Sequence, residues 1–376
     1  MTPRPSVTRA MHRLSTRGRI GAELAYRLDL VRGQGAVTVA RQSGRGRRDA
    51  AAAFAATRSV QYRELWTGAA ATVGAEVEDL GRDFLLISRG ATSTIVQRAL
   101  VMLDHPATLE LAGDKPLVHR LLAEAGLPIT WYQQIESGDW EAAVEFLADT
   151  GGPCVVKPAR NTGAGDGVTC GLETPDEMRR ACLHASRWRS PLLVEHSAFG
   201  NEYRLLFLDG EPLDVVQRSR PVLTGDGRST ISQLVDTENE RRVEAGTAET
   251  ARPLRVDLDL ELTLSRTGRS LGSVLEFGIE LPVKTGVSDN AAAENRTVRD
   301  FSAEILEEAA AAVRATRLRL AGVDVVTPDP TRSLASSGGV ILEVNSTPGL
   351  HHHFVVRDPW QATPIAAPIL ERLLAC

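Results

Sequence analysis

The chain has 376 residues, more than one hydrophobic core usually serves, so two or three packed lobes are expected. An apolar content of 43% fits a soluble protein with a real core, and a formal net charge of −5 argues against a nucleic-acid binder. No apolar run approaches the length of a membrane span, so no membrane partner is expected.

Charge is unevenly placed. Residues 1–58 make a basic, Arg/Ala-rich segment, in which the first fifty residues carry eleven Arg against Glu23, Asp29 and Asp49. A solvated tail or helix accounts for such a run, with an RNA- or membrane-touching arm as the alternative. The beginning lacks the hydrophobic stretch of a secretory signal. Cys154, Cys170, Cys182 and Cys376 show no metal-type spacing and read as reduced residues of a cytoplasmic protein.

From Tyr62 a helix is predicted to about Val77, then a strand over 84–88; together they outline a small leading lobe, residues 59–110. Helices follow at 116–125, 141–149 and 175–188, with strands at 154–157 and 192–195 and a return strand near 168–170. Runs at 203–208 and 211–216 predict a hairpin turning at Asp209-Gly210. Thr230 opens a short helix with Gln233 placed to complete a capping box. A long helix is predicted over 302–320, ending at Gly322 and feeding a strand at 323–326; a loop at 333–339 precedes a strand at 340–344. The alternation of strands and helices gives an α/β or α+β chain of several lobes.

The strongest chemical signal lies in Val340–Gly349. Strict alternation puts Ile341, Glu343 and Asn345 on one face and Val340, Leu342 and Val344 on the other. A carboxylate on a buried strand needs a partner. A divalent cation with hard oxygen ligands is one such partner, with Asp324 as a third donor from a neighbouring strand; a buried Arg is the alternative. The second signal is Lys157-Pro158-Ala159-Arg160-Asn161-Thr162-Gly163-Ala164-Gly165-Asp166-Gly167. Glycines there let backbone N–H groups close on phosphate oxygens, although Asp166 is an odd neighbour for phosphates and should point away. The third is Glu195-His196 followed by Glu202, carboxylates able to accept from an adenine amino group and from ribose hydroxyls. Of the 43 basic residues only Lys115, Lys157 and Lys284 are lysine, which points to positions where a compact ammonium is needed, with chance persistence as the alternative. The run His351-His352-His353 points in divergent directions and reads better as substrate or packing contact than as a metal site.

Taken together these segments resemble the ATP-grasp superfamily over roughly residues 60–376, with the nearest likeness to the ATP-grasp half of cyanophycin synthetases. The likeness runs through Leu111-Ala112-Gly113-Asp114-Lys115, Val155-Val156-Lys157-Pro158, Arg218-Ser219-Arg220-Pro221 and Ala321-Gly322-Val323-Asp324. It ends in Glu343-Val344-Asn345-Ser346-Thr347-Pro348-Gly349, which is also similar to D-alanine–D-alanine ligases. The resemblance implies an ATP-grasp fold with two lobes clamping ATP: a small subdomain at 111–195 and a C-terminal subdomain at 196–376. It also implies an ADP-forming carboxylate–amine ligase working through an acyl-phosphate on small carboxylate and amine substrates such as amino acids or a peptide. Lys115, Lys157, Gly163, Gly165 and Gly167 would hold ATP phosphates. Glu195, His196 and Ala198 would meet adenine, and Glu202 the ribose. Asp324, Glu343 and Asn345 would hold Mg2+ (or Mn2+), while Arg218 and Lys284 would stabilise the transferring phosphoryl group. The segment after Lys284 lacks the Gly-Gly of the cyanophycin pattern, which predicts a different acceptor. A hydroxyl kinase and a non-catalytic ATP sensor stand as alternatives, and a homo-oligomer is left open.

Overall fold

The structure, a computed structural model, describes residues 46–163, 165–244 and 253–375 together with Glu23 and Tyr26. Most of the basic segment 1–58 and Cys376 therefore lie outside the described residues.

The leading lobe pairs the helix Gly46–Val73 with an antiparallel meander of β1 (Glu76–Gly81), β2 (Phe84–Arg89) and β3 (Thr92–Gln97). The helix starts well before Tyr62 and stops short of Val77. Alternation along β2 sends Leu85 and Ile87 inward against Tyr62 and Trp66, and the C-terminal helix Ala366–Leu374 closes the same core with Ile369 and Leu370. The Trp66 indole donates to the Arg98 carbonyl at 2.8 Å, which satisfies its buried N–H.

A second lobe is a four-stranded antiparallel sheet in the order β4-β7-β5-β6, where β4 is Tyr132–Ile135, β5 Cys154–Pro158, β6 Thr169–Leu172 and β7 Leu192–His196. Cys154, Val156, Leu192 and Val194 face the helices Trp140–Thr150 and Pro175–Ser186. Their neighbours Val155, Lys157 and Glu195 are thereby turned to the opposite face. Thr174 and Glu177 form a reciprocal capping box that fixes where the second helix begins.

The third lobe is a five-stranded antiparallel sheet in the order β12-β9-β8-β13-β14. The hairpin of β8 (Asn201–Leu208) and β9 (Glu211–Arg218) turns at Asp209-Gly210, both with positive φ (51° and 87°), as a two-residue turn between twisted strands requires. The chain segment that follows β9 forms a separate apolar cluster around β10 (Val222–Thr224), β11 (Glu280–Pro282) and the helices Ile231–Glu244 and Leu258–Arg266. The expected capping box at Thr230 and Gln233 is present. The chain then adds β12 (Arg296–Thr297), the helix Ala303–Thr316, β13 (Leu320–Thr327) and β14 (Val340–Asn345).

That helix is shorter than its Ala/Glu/Arg composition predicts. Arg317 adopts the left-handed conformation that ends it, and β13 begins at Leu320 rather than Val323. Tyr203, Leu205, Phe207, Ala321, Val323 and Val325 face this helix and the helix Lys115–Glu124 to make the main core.

Strict alternation fails in β14. Glu343 pairs with Asp324, but the next pair is Ile341 with Val325, so Leu342 is the extra residue of a bulge. Ile341 therefore joins Val344 in the core, while Glu343 and Asn345 stay together on the other face and Leu342 lines the cleft beside them.

Candidate active site

Two polar sheet faces meet across a cleft of about 1360 Å³. One wall is the face of β5 and β7 carrying Val155, Lys157 and Glu195. The other is the face of the five-stranded sheet carrying Arg218, Glu202, Arg204, Asp324, Glu343 and Asn345. The glycine hairpin between β5 and β6 and the segment Thr285–Asn290 close its rims, and Arg58, Tyr62 and Arg98 reach in from the leading lobe.

Each lysine of the cleft is set by an acidic partner. Lys157 Nζ lies 2.7 Å from Glu195 Oε2, and burial, which alone would strip the ammonium of its proton, is outweighed by Glu195 and Glu343, so its pKa is raised. Lys115 Nζ lies 3.2 Å from Glu343 Oε1 and also donates to the Thr162 carbonyl at 3.1 Å, which ties it to the glycine hairpin. Both lysines remain only 8% exposed, so these ammonium groups are held in place, not left to wander in solvent.

The structure corrects the expectation for Glu195. Its carboxylate is 2% exposed and both oxygens are taken, by Lys157 and by His119 Nε2 at 2.8 Å, which leaves the side chain as an anchor for Lys157 and not as an adenine acceptor. The strand end itself still fits the hinge: His196, Ser197 and Ala198 line the cleft, and the His196 and Ser197 amides are held by the Trp131 and Pro153 carbonyls.

On the opposite wall Glu202 Oε1 accepts from Arg218 Nη1 at 2.5 Å, and Arg218 Nη2 reaches Asn290 at 3.4 Å. Burial raises the Glu202 pKa against the pull of Arg218. Arg204 grips both oxygens of Asp324, with Nη2 to Oδ2 at 2.7 Å, and Asn345 Nδ2 donates to the same Oδ2 at 3.2 Å. Burial would raise the Glu343 pKa, but Lys115, Lys157 and Arg204 together lower it to about 2, so the carboxylate is ionised throughout the physiological range. The buried-Arg alternative is thus realised at Asp324, directly opposite Arg204 on the adjacent strand, and not at Glu343.

The oxygens of Asp324, Glu343 and Asn345 nevertheless share one face, as paired registers of β13 and β14. Two carboxylates and an amide are a donor set suited to magnesium, which takes a few protein oxygens and completes its shell with phosphates and water. Glu343 is the donor most open to the cleft, whereas Asp324, whose oxygens Arg204 and Asn345 hold, would have to turn one of them toward such an ion.

Two expected residues are not brought to the cleft. Gly167 has a positive φ of 76°, and a Cβ there would meet Trp188 at 2.7 Å and Pro158 at 2.9 Å, so it serves the turn from beneath, whereas Gly163 and Gly165 line the opening. Lys284 is fully buried, with Nζ 2.7 Å from Asp257 and 2.6 Å from Asp289. An ammonium enclosed by two carboxylates cannot meet a phosphoryl group directly, and the expectation that it does is withdrawn. Of the three histidines, His351 and His352 line the cleft, while His353 is fully buried against Asp214 at 2.8 Å. His353 is thus a packing residue, and any substrate contact would fall to His351 and His352. Arg204 and His119 were missed: Arg204 had only its two-residue spacing from Glu202 to suggest a shared face, and His119 lies 76 residues from its partner.

Two antiparallel sheets closed on one charged cleft, a glycine hairpin on the first and an oxygen-bearing strand pair on the second, make this an ATP-grasp fold. The chain is related to the cyanophycin synthetases. It is 32% identical to that of Geminocystis herdmanii over 304 residues, covering 78% of this chain and 34% of that one. The chain spans about a third of the length of the cyanophycin synthetases it matches. The bifunctional glutathione biosynthesis protein of Streptococcus thermophilus is 25% identical over 355 residues, 86% of this chain and 46% of that one. Among solved structures, a bifunctional glutathione synthetase from Pasteurella multocida aligns with a TM-score of 0.49 at 20% identity, covering 80% of this chain and 41% of that one. No family model matches the chain.

Proposed function

We propose that the protein is an ATP-dependent carboxylate–amine ligase that forms an amide or peptide bond through an acyl-phosphate and releases ADP and phosphate. The observation that carries this reading is the convergence of Lys115 and Lys157, each braced by a carboxylate, with Glu343, Asp324 and Asn345 beneath a glycine hairpin. Relatives named as cyanophycin synthetases and glutathione biosynthesis proteins support it.

The chemistry needs a carboxylate oxygen to attack the γ-phosphorus while ADP leaves with the bonding electron pair. An amine then attacks the acyl carbon, phosphate departs, and the amine proton is lost. In this reading Lys157, Lys115 and the amides of the hairpin hold the phosphates, and the hinge at His196–Ala198 frames the base. Glu202 takes the ribose, and Arg218, beside Asn290 at the far end of the cleft, stabilises the charge that develops on transfer. Magnesium, with manganese as a substitute, would be held by Asp324, Glu343 and Asn345 and would supply charge neutralisation at the phosphates. Lys284 takes a positioning role: with Asp257 and Asp289 it fixes the segment Thr285–Asn290 at the rim where the acceptor would bind.

The substrates are small carboxylates and amines, amino acids or a peptide. Among the described residues no helix is long and apolar enough to cross a membrane. A place in the cytoplasm is part of the proposal, and the free thiols Cys154, Cys170 and Cys182 suit a reducing compartment. Incubation with ATP, Mg2+ and pooled amino acids, followed by mass spectrometry, is expected to yield ADP, phosphate and an amide product. AMP with pyrophosphate, or a phosphorylated hydroxyl as the end product, would count against the ligase.

A further inference from the structure

The glycine hairpin carries an acid in the middle of its anion-binding stretch. Asp166 lies between Gly165 and Gly167 and lines the cleft, where a bare carboxylate would repel a polyphosphate. Its charge is met by Arg255, whose Nη1 donates to Asp166 Oδ1 at 2.5 Å. The same guanidinium grips Asp289, with Nε to Oδ1 at 2.9 Å and Nη2 to Oδ1 at 2.6 Å, and the Arg255 amide donates to Asp289 Oδ2 at 3.2 Å. Asp289 is anchored from below by Lys284. Independently of these charges the hairpin tip is packed onto the same segment, since a Cβ on Gly165 would overlap the Ser288 side chain.

One planar fork therefore joins the hairpin to the rim segment on the other side of the cleft. A guanidinium presents separate nitrogens to the two carboxylates, Nη1 to Asp166 and Nε with Nη2 to Asp289, a fork that the single nitrogen of a lysine does not reproduce. We propose that Arg255 is a positioning residue for nucleotide binding. It draws the Asp166 carboxylate toward itself and cancels its charge beside the phosphate site, while the packing of Gly165 on Ser288 holds the hairpin on the rim segment. This inference rests on the ATP reading above.

The test is titration of magnesium adenylyl-imidodiphosphate, a non-hydrolysable ATP analogue, into the full-length protein and its variants, which needs neither acid nor amine. Wild-type protein that binds no analogue contradicts the ATP reading itself. Given wild-type binding, Arg255→Met is expected to weaken affinity by about tenfold or more, because Asp166 is left uncompensated beside the phosphates. Asp166→Asn alone should bind no more weakly than wild type, and the double variant should return to within about threefold of it. A purely structural Arg255 would show no such rescue. Wild-type affinity in Arg255→Met, or a loss that Asp166→Asn does not restore, overturns the proposal. If Arg255→Met does not fold, the neutral Arg255→Gln, which keeps a polar donor, is read by the same two criteria.

Discussion

Lys284→Met is expected to lower stability by about 3–5 kcal/mol, an effect on the fold that precedes any effect on chemistry. The ammonium is enclosed by Asp257 and Asp289, and its pKa stands above the ordinary lysine value because these two carboxylates outweigh burial and the opposing Arg255. Removing it takes the shared ammonium from both carboxylates, and the fully buried Asp289 side chain is left to its ion pair with Arg255. Asp289 is itself depressed to about 2, with burial overcome by Lys284 and then Arg255, so the variant loses the larger of the two charges that make its ionisation tolerable in a buried site. Lys284→Arg should also destabilise, since a fully buried cavity shaped to an ammonium has no room for a fork. A thermal melt decides it. A Lys284→Met variant that melts with the wild type while losing turnover would return this lysine to the reacting phosphoryl group.

Glu343→Gln is expected to do the reverse, cutting turnover by on the order of 10²–10³ or more while the melt stays near wild type. Glu343 keeps 29% of its side-chain exposure, and a glutamine there still offers Lys115 an oxygen in the same place, so the melt should move far less than when a sealed ammonium is removed. Lys115, its partner, retains the Thr162 carbonyl. What is lost is the anionic oxygen beside Asp324 and Asn345 that suits a divalent ion. Turnover and melting temperature measured on one preparation separate the two roles: a large loss of stability with proportionate loss of activity would make Glu343 a structural ion-pair partner.

The sequence made these sites legible to different degrees. Lys157 and the glycine hairpin were readable because the residues are consecutive and their chemistry is local. The shared face of Glu343 and Asn345 was readable from a period of two, but the same rule misplaced Ile341, because a single extra residue at Leu342 resets the alternation. Strand β1 left no trace: Glu76–Gly81 is an almost wholly exposed edge without an apolar face, and edge strands of that kind carry little pattern. The helix Ala303–Thr316 was over-extended because Leu318 and Leu320 continue an apolar rhythm, while the break depends on Arg317 turning left-handed, which no local composition announces.

The lysine census shows the limit most plainly. It singled out three positions that are all nearly or fully buried and all paired with carboxylates, yet it could not separate a lysine facing the cleft from one sealed behind it. That distinction rests on Asp257, 27 residues away in sequence, and on Asp289, whose side chain turns inward. Likewise Glu195 was assigned to adenine because its strand is the hinge, and only the tertiary approach of His119 and Lys157 shows both oxygens committed.

The central claim, an acyl-phosphate made from a carboxylate and ATP, is tested most directly by following oxygen. Candidate amino-acid and peptide substrates labelled with heavy oxygen in their carboxylates are incubated with the protein, ATP and Mg2+, and the released phosphate is analysed by mass spectrometry. A carboxylate oxygen that bonds to phosphorus must leave with it, so the account predicts one heavy oxygen in each phosphate released with the amide product. Amide formed with unlabelled phosphate, or with the label in AMP, would contradict it.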